Sequence, residues 1–206
     1  GDRSKPPTFG WMTLRVPGSW GHDYGHEFDI PDGTAQATRA WYRLRFTAPR
    51  NWNDGRRILL SFDGVNYQCA GYLNGQAVGK HIGGYAPFDF DITSSVNFDT
   101  SNELALQVDD EPQGLHSGKA LHSGIWRSVY LRSVPAVHID NVFVMPSVRR
   151  KEVTVRVWVR NDTVEPQNGV LTNDVWLGNR RILSLPQVGY SVAPGQTEMV
   201  EVSAGW

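Results

Sequence analysis

The stretch Glu152–Arg160 has the sequence EVTVRVWVR, with a valine at every second position. Successive side chains of an extended strand point to opposite faces, so these four valines share one face and the residues between them share the other. A helix would need apolar residues at a period of 3.6, which this stretch does not have. It therefore predicts a β-strand with one buried face and points to an all-β fold.

Strand signals recur on both sides of this stretch. Asn74-Gly75 lies between two strand-like runs and predicts a tight hairpin, because both residues tolerate a positive φ. We predict strands at 41–46, 58–62, 69–73, 76–79, 103–108, 129–131, 138–144, 152–160, 170–177, 181–185 and 198–202. No segment keeps a helical period over ten residues. Together with 21 glycines and 12 prolines, this indicates a turn-rich, all-β protein.

The strand pattern stops and restarts around Val134-Pro135-Ala136. A chain of 206 residues has room for two small domains. We therefore expect one β-domain over residues 1–135 and a second over residues 136–206.

Composition excludes several classes of partner. The net charge is −1 and no basic stripe is present, so neither nucleic acid nor an anionic membrane is expected to bind. No apolar run approaches the roughly 20 residues of a membrane-spanning helix. Cys69 is the only cysteine, so no disulfide forms within the chain, and we interpret it as a buried, inert thiol. A periplasmic or secreted location is compatible with this composition, which does not identify the compartment.

Several motifs, in order and at suitable spacing over about 120 residues, resemble the sugar-binding domain of glycoside hydrolase family 2. They are VPGSW at 16–20, AWYR at 40–43, FDGV at 62–65, GYLNG at 71–75, GKHIGGYAPFDFDI at 79–92, NELALQVD at 102–109 and SGIWRSVYL at 123–131. The resemblance implies a jelly-roll β-sandwich of the galactose-binding type. The region from Ala136 onward is similar to the family's immunoglobulin-like sandwich, and we expect it to be incomplete at its C-terminal end, with an exposed strand edge.

The family resemblance also implies that the parent protein hydrolyses O-glycosidic bonds in carbohydrate metabolism. Its two catalytic carboxylates lie on a barrel of roughly 250 residues, for which this chain has no room beside two sandwiches. We therefore expect no catalytic residue and no cofactor in this chain, and we expect the chain alone to be inactive. The dipeptide Asn102-Glu103 resembles the acid/base motif of such barrels, but its position in a turn before an alternating strand favours a structural role.

The resemblance implies that two loops of the first domain reach the sugar pocket, so we predict sugar-binding residues in both loops. His81 and Tyr85 flank Gly83-Gly84, whose glycines allow a close approach of the backbone. Asp109 and Asp110 follow the strand at 103–108, and a carboxylate can accept hydrogen bonds from adjacent sugar hydroxyls. The alternative for the two aspartates is a solvated acidic loop or a turn cap.

Other conspicuous residues have simpler interpretations. The segment 22–27 (HDYGHE) and the acidic cluster 109–111 contain metal-ligating residue types, but nothing in the sequence fixes their geometry, so we predict no metal site. Trp126-Arg127 is interpreted as packing plus a structural ion pair, although the family's usual acid after this arginine is replaced by Ser128. Trp11, Trp20, Trp41 and Trp52 are interpreted as packing residues.

The expected partners are a carbohydrate and the catalytic barrel of the parent chain or of another subunit, and a homodimer is a further possibility. Two rival functions stay open. In the first, the chain is a stand-alone carbohydrate-binding module. In the second, it is a structural or assembly domain that holds a barrel or another chain.

Overall fold

The computed structural model describes residues 5–20, 39–109 and 123–206. The chain divides into two compact units, Gly1–Ser133 and Val134–Trp206, which we call unit 1 and unit 2. All the regular elements in the described residues are β-strands, apart from a single 3-10 turn at Arg50–Trp52. The all-β prediction is therefore confirmed. No helix among the described residues is long and apolar enough to cross a membrane.

Unit 1 has two antiparallel sheets. Its strands are β1 (Arg39–Phe46), β2 (Arg57–Phe62), β3 (Gln68–Leu73), β4 (Gln76–Ile82), β5 (Phe88–Asp91), β6 (Asn102–Asp109) and β7 (Val129–Val134), the last of which ends at the boundary with unit 2. One sheet has the order β1-β6-β3-β4 and the other the order β5-β2-β7. The predicted hairpin joins β3 to β4, with φ of 52° at Asn74 and 81° at Gly75.

The core of unit 1 forms where the apolar faces of its two sheets meet. Ile58 and Phe62 on β2 and Leu106 and Val108 on β6 are at most 1% exposed. Each of these strands places alternate side chains in this core, as their sequence pattern predicts. Cys69 is also buried, as predicted, and burial raises the pKa of its thiol to about 12, which favours the protonated, less reactive form.

Unit 2 contains the longest strands of the chain. Its strands are β8 (Val137–Ser147), β9 (Glu152–Asn161), β10 (Gln167–Leu171), β11 (Asp174–Leu177), β12 (Arg180–Ser184), β13 (Val188–Val192) and β14 (Thr197–Gly205). One sheet has the order β14-β9-β8, and two further two-stranded sheets are β10-β13 and β11-β12. The predicted strand at 170–177 is two strands, because the chain changes its pairing partner between β10 and β11.

The four alternating valines of β9 form the centre of the core of unit 2, and each is at most 6% exposed. The edge strand β8 behaves differently. Ile139, Val142 and Val144 pair with valines of β9 and so share their inward face, yet they are 53%, 47% and 53% exposed. Unit 2 thus presents an uncovered apolar strip along β8. The immunoglobulin-like identity of this unit stays a prediction.

The sequence pattern does not predict two of the observed strands. Phe88–Asp91 and Val188–Val192 were not predicted as strands, yet they form β5 and β13. Both are short, and their apolar residues are too few to establish a period of two. They are strands because neighbouring strands pair with them: β2 pairs with β5, and β10 with β13.

Candidate functional site: the loop end of unit 1

Several connecting loops of unit 1 meet at one end of its two sheets. In the first sheet, Arg39, Asp109, Gln68 and Ile82 form the last row of paired residues, where β1 and β3 begin and β4 and β6 end. The loops 63–67 and 83–87 leave this end of the first sheet and connect it to the second within five residues each. The segment 123–128 joins them, because Asn66 pairs with Gly124. We call these three segments the loop end.

Trp126 connects the loops of this end. Its indole Nε1 donates a hydrogen bond of 2.8 Å to the carbonyl oxygen of Gly84. The ring of Tyr85 meets the indole edge-on, with centroids 5.5 Å apart, and the guanidinium carbon of Arg127 lies 4.4 Å from the indole centroid. A Cβ on Gly64 would approach the indole to 3.0 Å, so glycine is needed there for this close packing. Tyr85 itself remains 64% exposed.

His81 supports the same loop from inside the sandwich. Its ring stacks on Phe88 with centroids 3.8 Å apart and an angle of 9° between the planes. Nε2 lies 3.1 Å from the carbonyl oxygen of Gly83, to which it donates when protonated at that nitrogen. Burial of the ring lowers the pKa of His81 below its ordinary value, and the hydrogen bond to Gly83 opposes this shift only in part. His81 therefore fixes the turn that carries Tyr85.

The lowered pKa of His81 predicts a pH dependence of stability. As pH falls through about 6.5, the ordinary value, the unfolded chain binds a proton at His81 that the folded chain resists, so the free energy of unfolding should decrease. Urea unfolding at pH 7.5, 6.5 and 5.5 measures this decrease. His81→Gln should make the decrease smaller, since glutamine does not titrate. An equal decrease in both proteins would contradict this assignment.

Asp109 lies in the row next to His81 but on the opposite face of the sheet. His81 pairs with the buried Cys69, whereas the row of Asp109 includes Ile82, which is 66% exposed. The carboxylate of Asp109 forms an ion pair with Arg39, and its main-chain oxygen accepts a hydrogen bond from Tyr67 at 3.0 Å. The structure thus brings His81 and Tyr85 to one loop and places Asp109 beside it, facing outward. Asp110 lies outside the described residues, and sugar contact by all four stays a prediction.

Arg127 differs from its predicted role. It packs on Trp126 as expected, but it has no ion pair within the part of the chain that the structure describes, so the ion-pair prediction is wrong there. Arg127 is exposed. The replacement of the family's usual acid by Ser128 is the sequence signal that could have led to this conclusion.

The remaining candidates have structural partners or lie outside the described residues. Asn102 is fully buried and holds Asn97 through two hydrogen bonds of 2.7 Å, while Glu103 pairs with Arg45 at 3.0 Å. Within residues 5–20, 39–109 and 123–206, no group of three His, Cys, Asp or Glu side chains is placed to hold a metal ion. The segment 22–27 and residues 110–111 fall outside these ranges.

An apolar cavity of about 580 Å³ lies between the N-terminal segment and β1, with Ile125 of the loop end in its lining. Trp11, Trp20 and Trp41 line it, together with apolar residues of β6. Its one charged lining residue, Arg43, stacks on Trp11 at 4.2 Å. A specific ligand site needs convergent polar groups, and this cavity has few. Trp20 is 2% exposed and part of the core, while a packing role for Trp11 and Trp41 stays a prediction.

Known proteins share both the sequence and the fold of this chain. Residues 11–135 match the family described as glycosyl hydrolases family 2, sugar binding domain. A β-galactosidase of Thermoanaerobacter pseudethanolicus is 31% identical over 144 residues, which are 66% of this chain and 19% of that protein. A β-glucuronidase of Formosa agariphila is 23% identical over 90% of this chain and 22% of its own length.

The fold comparison covers nearly the whole chain. The crystal structure of a Bacteroides uniformis β-glucuronidase superposes with a TM-score of 0.76 and 28% identity, covering 94% of this chain and 24% of that one. The chain thus spans about a fifth to a quarter of the length of these relatives. On the evidence of the family match, the similar fold and the motifs at the loop end, this chain belongs to glycoside hydrolase family 2 and corresponds to the N-terminal region of its β-glycosidases.

Proposed function

We propose that this chain is a non-catalytic part of a family 2 β-glycosidase, in which the loop end of unit 1 forms one wall of the sugar pocket. The observation that carries this proposal is the loop end itself, where Tyr85 is exposed on a turn that His81 and Trp126 hold in place. A rigid, exposed ring next to polar groups suits a sugar, which has both apolar C–H faces and hydroxyl edges.

Each predicted site residue has a distinct role in this proposal. Tyr85 offers a ring face to the sugar, and Asp109 offers the carboxylate oxygens not used by Arg39. His81 acts indirectly, because its ring is stacked on Phe88 and bonded to Gly83, so it positions the turn instead of contacting the sugar. Asp110 continues the chain from Asp109 and is proposed as a second carboxylate contact.

Hydrolysis is proposed to depend on polypeptide outside this chain. A retaining glycosidase needs two carboxylates about 5–5.5 Å apart, which family 2 carries on a barrel of alternating strands and helices. The described residues contain one single-turn 3-10 helix and no α-helix, which supports a location of the barrel outside them. The greater length of the relatives leaves ample room for it.

The two units are proposed to differ in role. Unit 1 is the jelly-roll sugar-binding domain, and unit 2 is an immunoglobulin-like sandwich that supports the catalytic barrel of the parent chain or of another subunit. The uncovered strip along β8 supports a docking role for unit 2, because an apolar strip of this kind is a common feature of an interaction surface. The same strip is the proposed contact in a homodimer.

The test combines an activity assay with a binding assay on the purified chain. Nitrophenyl β-galactoside, β-glucuronide and β-mannoside should show no hydrolysis above the rate of a buffer blank. Methyl glycosides of the neutral sugars should shift the NMR signals of the loop end, with weak affinity, because one wall of a cleft buries little of the ligand. Tyr85→Ala should weaken this binding, whereas Tyr190→Ala, an aromatic change in unit 2, should not.

Hydrolysis that disappears when residues of this chain are mutated would overturn the non-catalytic assignment. Absence of any sugar-dependent shift at the loop end would overturn the pocket-wall assignment. Micromolar affinity for a free sugar would instead identify a stand-alone carbohydrate-binding module.

A further inference from the structure

Arg127 is an exposed cation that the fold holds in place. Its main-chain N–H donates to the carbonyl oxygen of Gly64 at 3.3 Å, and its guanidinium lies over the indole of Trp126 at 4.4 Å. Trp126 is itself fixed by its hydrogen bond to Gly84. A guanidinium stacked on an aromatic face keeps its donors available at the edge and loses little side-chain freedom when it binds an acceptor.

Most other arginines of unit 1 already have a carboxylate partner. Arg45 pairs with Glu103, Arg56 with Asp54, Arg57 with Asp91 and Arg132 with Asp89. Each of these pairs joins residues on strands or in a tight turn and engages at least one donor of its arginine. Among the described residues, no carboxylate lies within ion-pair distance of Arg127, and the residue after it is Ser128. No ion pair within the described residues uses the donors of this exposed side chain.

The surroundings of Arg127 add a second binding element. Tyr85 contacts the same indole, edge-on at 5.5 Å, and is 64% exposed. An exposed aromatic ring and an exposed guanidinium thus stand on one fixed indole. Guanidinium matches the geometry of a carboxylate through two parallel hydrogen bonds, and a phenol ring can stack on a sugar ring.

We propose that Arg127, Trp126 and Tyr85 form a binding site for a carboxylate-bearing ligand, in which Arg127 binds the carboxylate and Tyr85 contacts the group that carries it. The carboxylate comes from an acidic sugar residue or, by the same chemistry, from an acidic side chain of another polypeptide segment. The choice of a sugar as the source of the carboxylate rests on the function proposed above, whereas the carboxylate site itself does not.

The test uses the whole 206-residue chain and NMR, with the Trp126 indole N–H as the reporter, assigned through Trp126→Phe. Sodium glucuronate, glucose and sodium acetate are titrated separately at constant ionic strength. Glucuronate should give a saturable shift of the Trp126 signal, with an affinity at least about tenfold higher than that of glucose, the range expected for one charge-assisted pair. Arg127→Gln should abolish the difference between glucuronate and glucose.

Two controls separate this site from general attraction of anions. Arg149→Gln removes an exposed arginine from a turn of unit 2 and should leave the titration unchanged. Arg127→Lys keeps the charge but loses the planar pair of donors, so it should restore only part of the affinity. Thermal unfolding of each variant verifies that it folds like the parent chain.

The outcomes are distinct. If glucuronate binds more tightly than acetate and this difference disappears in Tyr85→Ala, the result supports the site and identifies an acidic sugar as the source of the carboxylate. If glucuronate and acetate bind with equal affinity and Arg127→Gln loses the binding of both, the site recognises a carboxylate without a sugar. An aspartate or glutamate side chain would then be its source. If no carboxylate gives a saturable shift, or if Arg127→Gln binds as the parent does, the proposal is overturned. Loss of neutral-sugar binding alone concerns only the pocket-wall function.

Discussion

Replacing Gly124 with alanine is expected to lower the free energy of unfolding of unit 1 by about 3 kcal/mol or more. Gly124 has φ of 98°, a conformation that residues with a Cβ rarely adopt. A Cβ there would overlap the hydroxyl of Tyr42 and approach Trp20 to 2.7 Å. Trp20 is 2% exposed, so the ring has little room to move. Tyr42 also accepts a hydrogen bond from the N–H of Ile125, which the same change would disturb.

Urea unfolding followed by tryptophan fluorescence measures this effect, and Gly55→Ala is the matched control in the same unit. Gly55 also has a positive φ, of 85°, but no atom lies within 4 Å of its added Cβ. The control should therefore cost only the backbone strain, about 1 kcal/mol. Equal losses in the two variants would show that steric overlap at Gly124 has no effect. A loss at Gly124 should also shift the NMR signals of the loop end, since Gly124 pairs with Asn66 there.

In unit 2, Asn161→Ala is expected to cost about 2–4 kcal/mol. The side chain of Asn161 is fully buried. Its Nδ2 donates to the carbonyl oxygens of Glu165 at 2.8 Å and of Val192 at 3.0 Å, and its Oδ1 accepts from Thr163 N–H at 2.9 Å. Alanine would remove all three bonds; the carbonyl of Glu165 would keep the hydroxyl of Thr163, but the carbonyl of Val192 belongs to a residue that is 1% exposed. Unsatisfied buried groups lose their full hydration energy.

The control for this prediction is Asn168→Ala, at an exposed position of β10. A surface substitution of this kind changes stability by no more than about 0.5 kcal/mol. Thermal and urea unfolding of both variants give the comparison. Similar stability of the two variants would mean that the hydrogen bonds of Asn161 contribute nothing beyond those of a surface amide.

Asn161-Asp162-Thr163 also matches the pattern for N-glycosylation, but the amide nitrogen of Asn161 is inaccessible in the folded chain.

Particular residues show how far the sequence predicted the candidate site. His81 and Tyr85 are predicted from the family resemblance of the loop that contains Gly83-Gly84, and the structure places them at the two ends of that turn. The sequence could not assign them separate roles, because stacking of His81 on Phe88 depends on how the two sheets face each other. Asp109 was predicted beside them, and only the pairing of β6 with β3 and β1 shows that it faces outward, toward Arg39.

The sequence by itself determined the all-β class, the hairpin at Asn74-Gly75 and the buried faces of β6 and β9. These features depend on the alternation of side chains along one strand and on the φ values that two residues tolerate, and both are local properties. The tertiary structure alone decided that Gly84 and Trp126, 42 positions apart, share a hydrogen bond. It likewise decided that Asn66 pairs with Gly124. Contacts between distant loops depend on strand register and sheet packing, which no local pattern specifies.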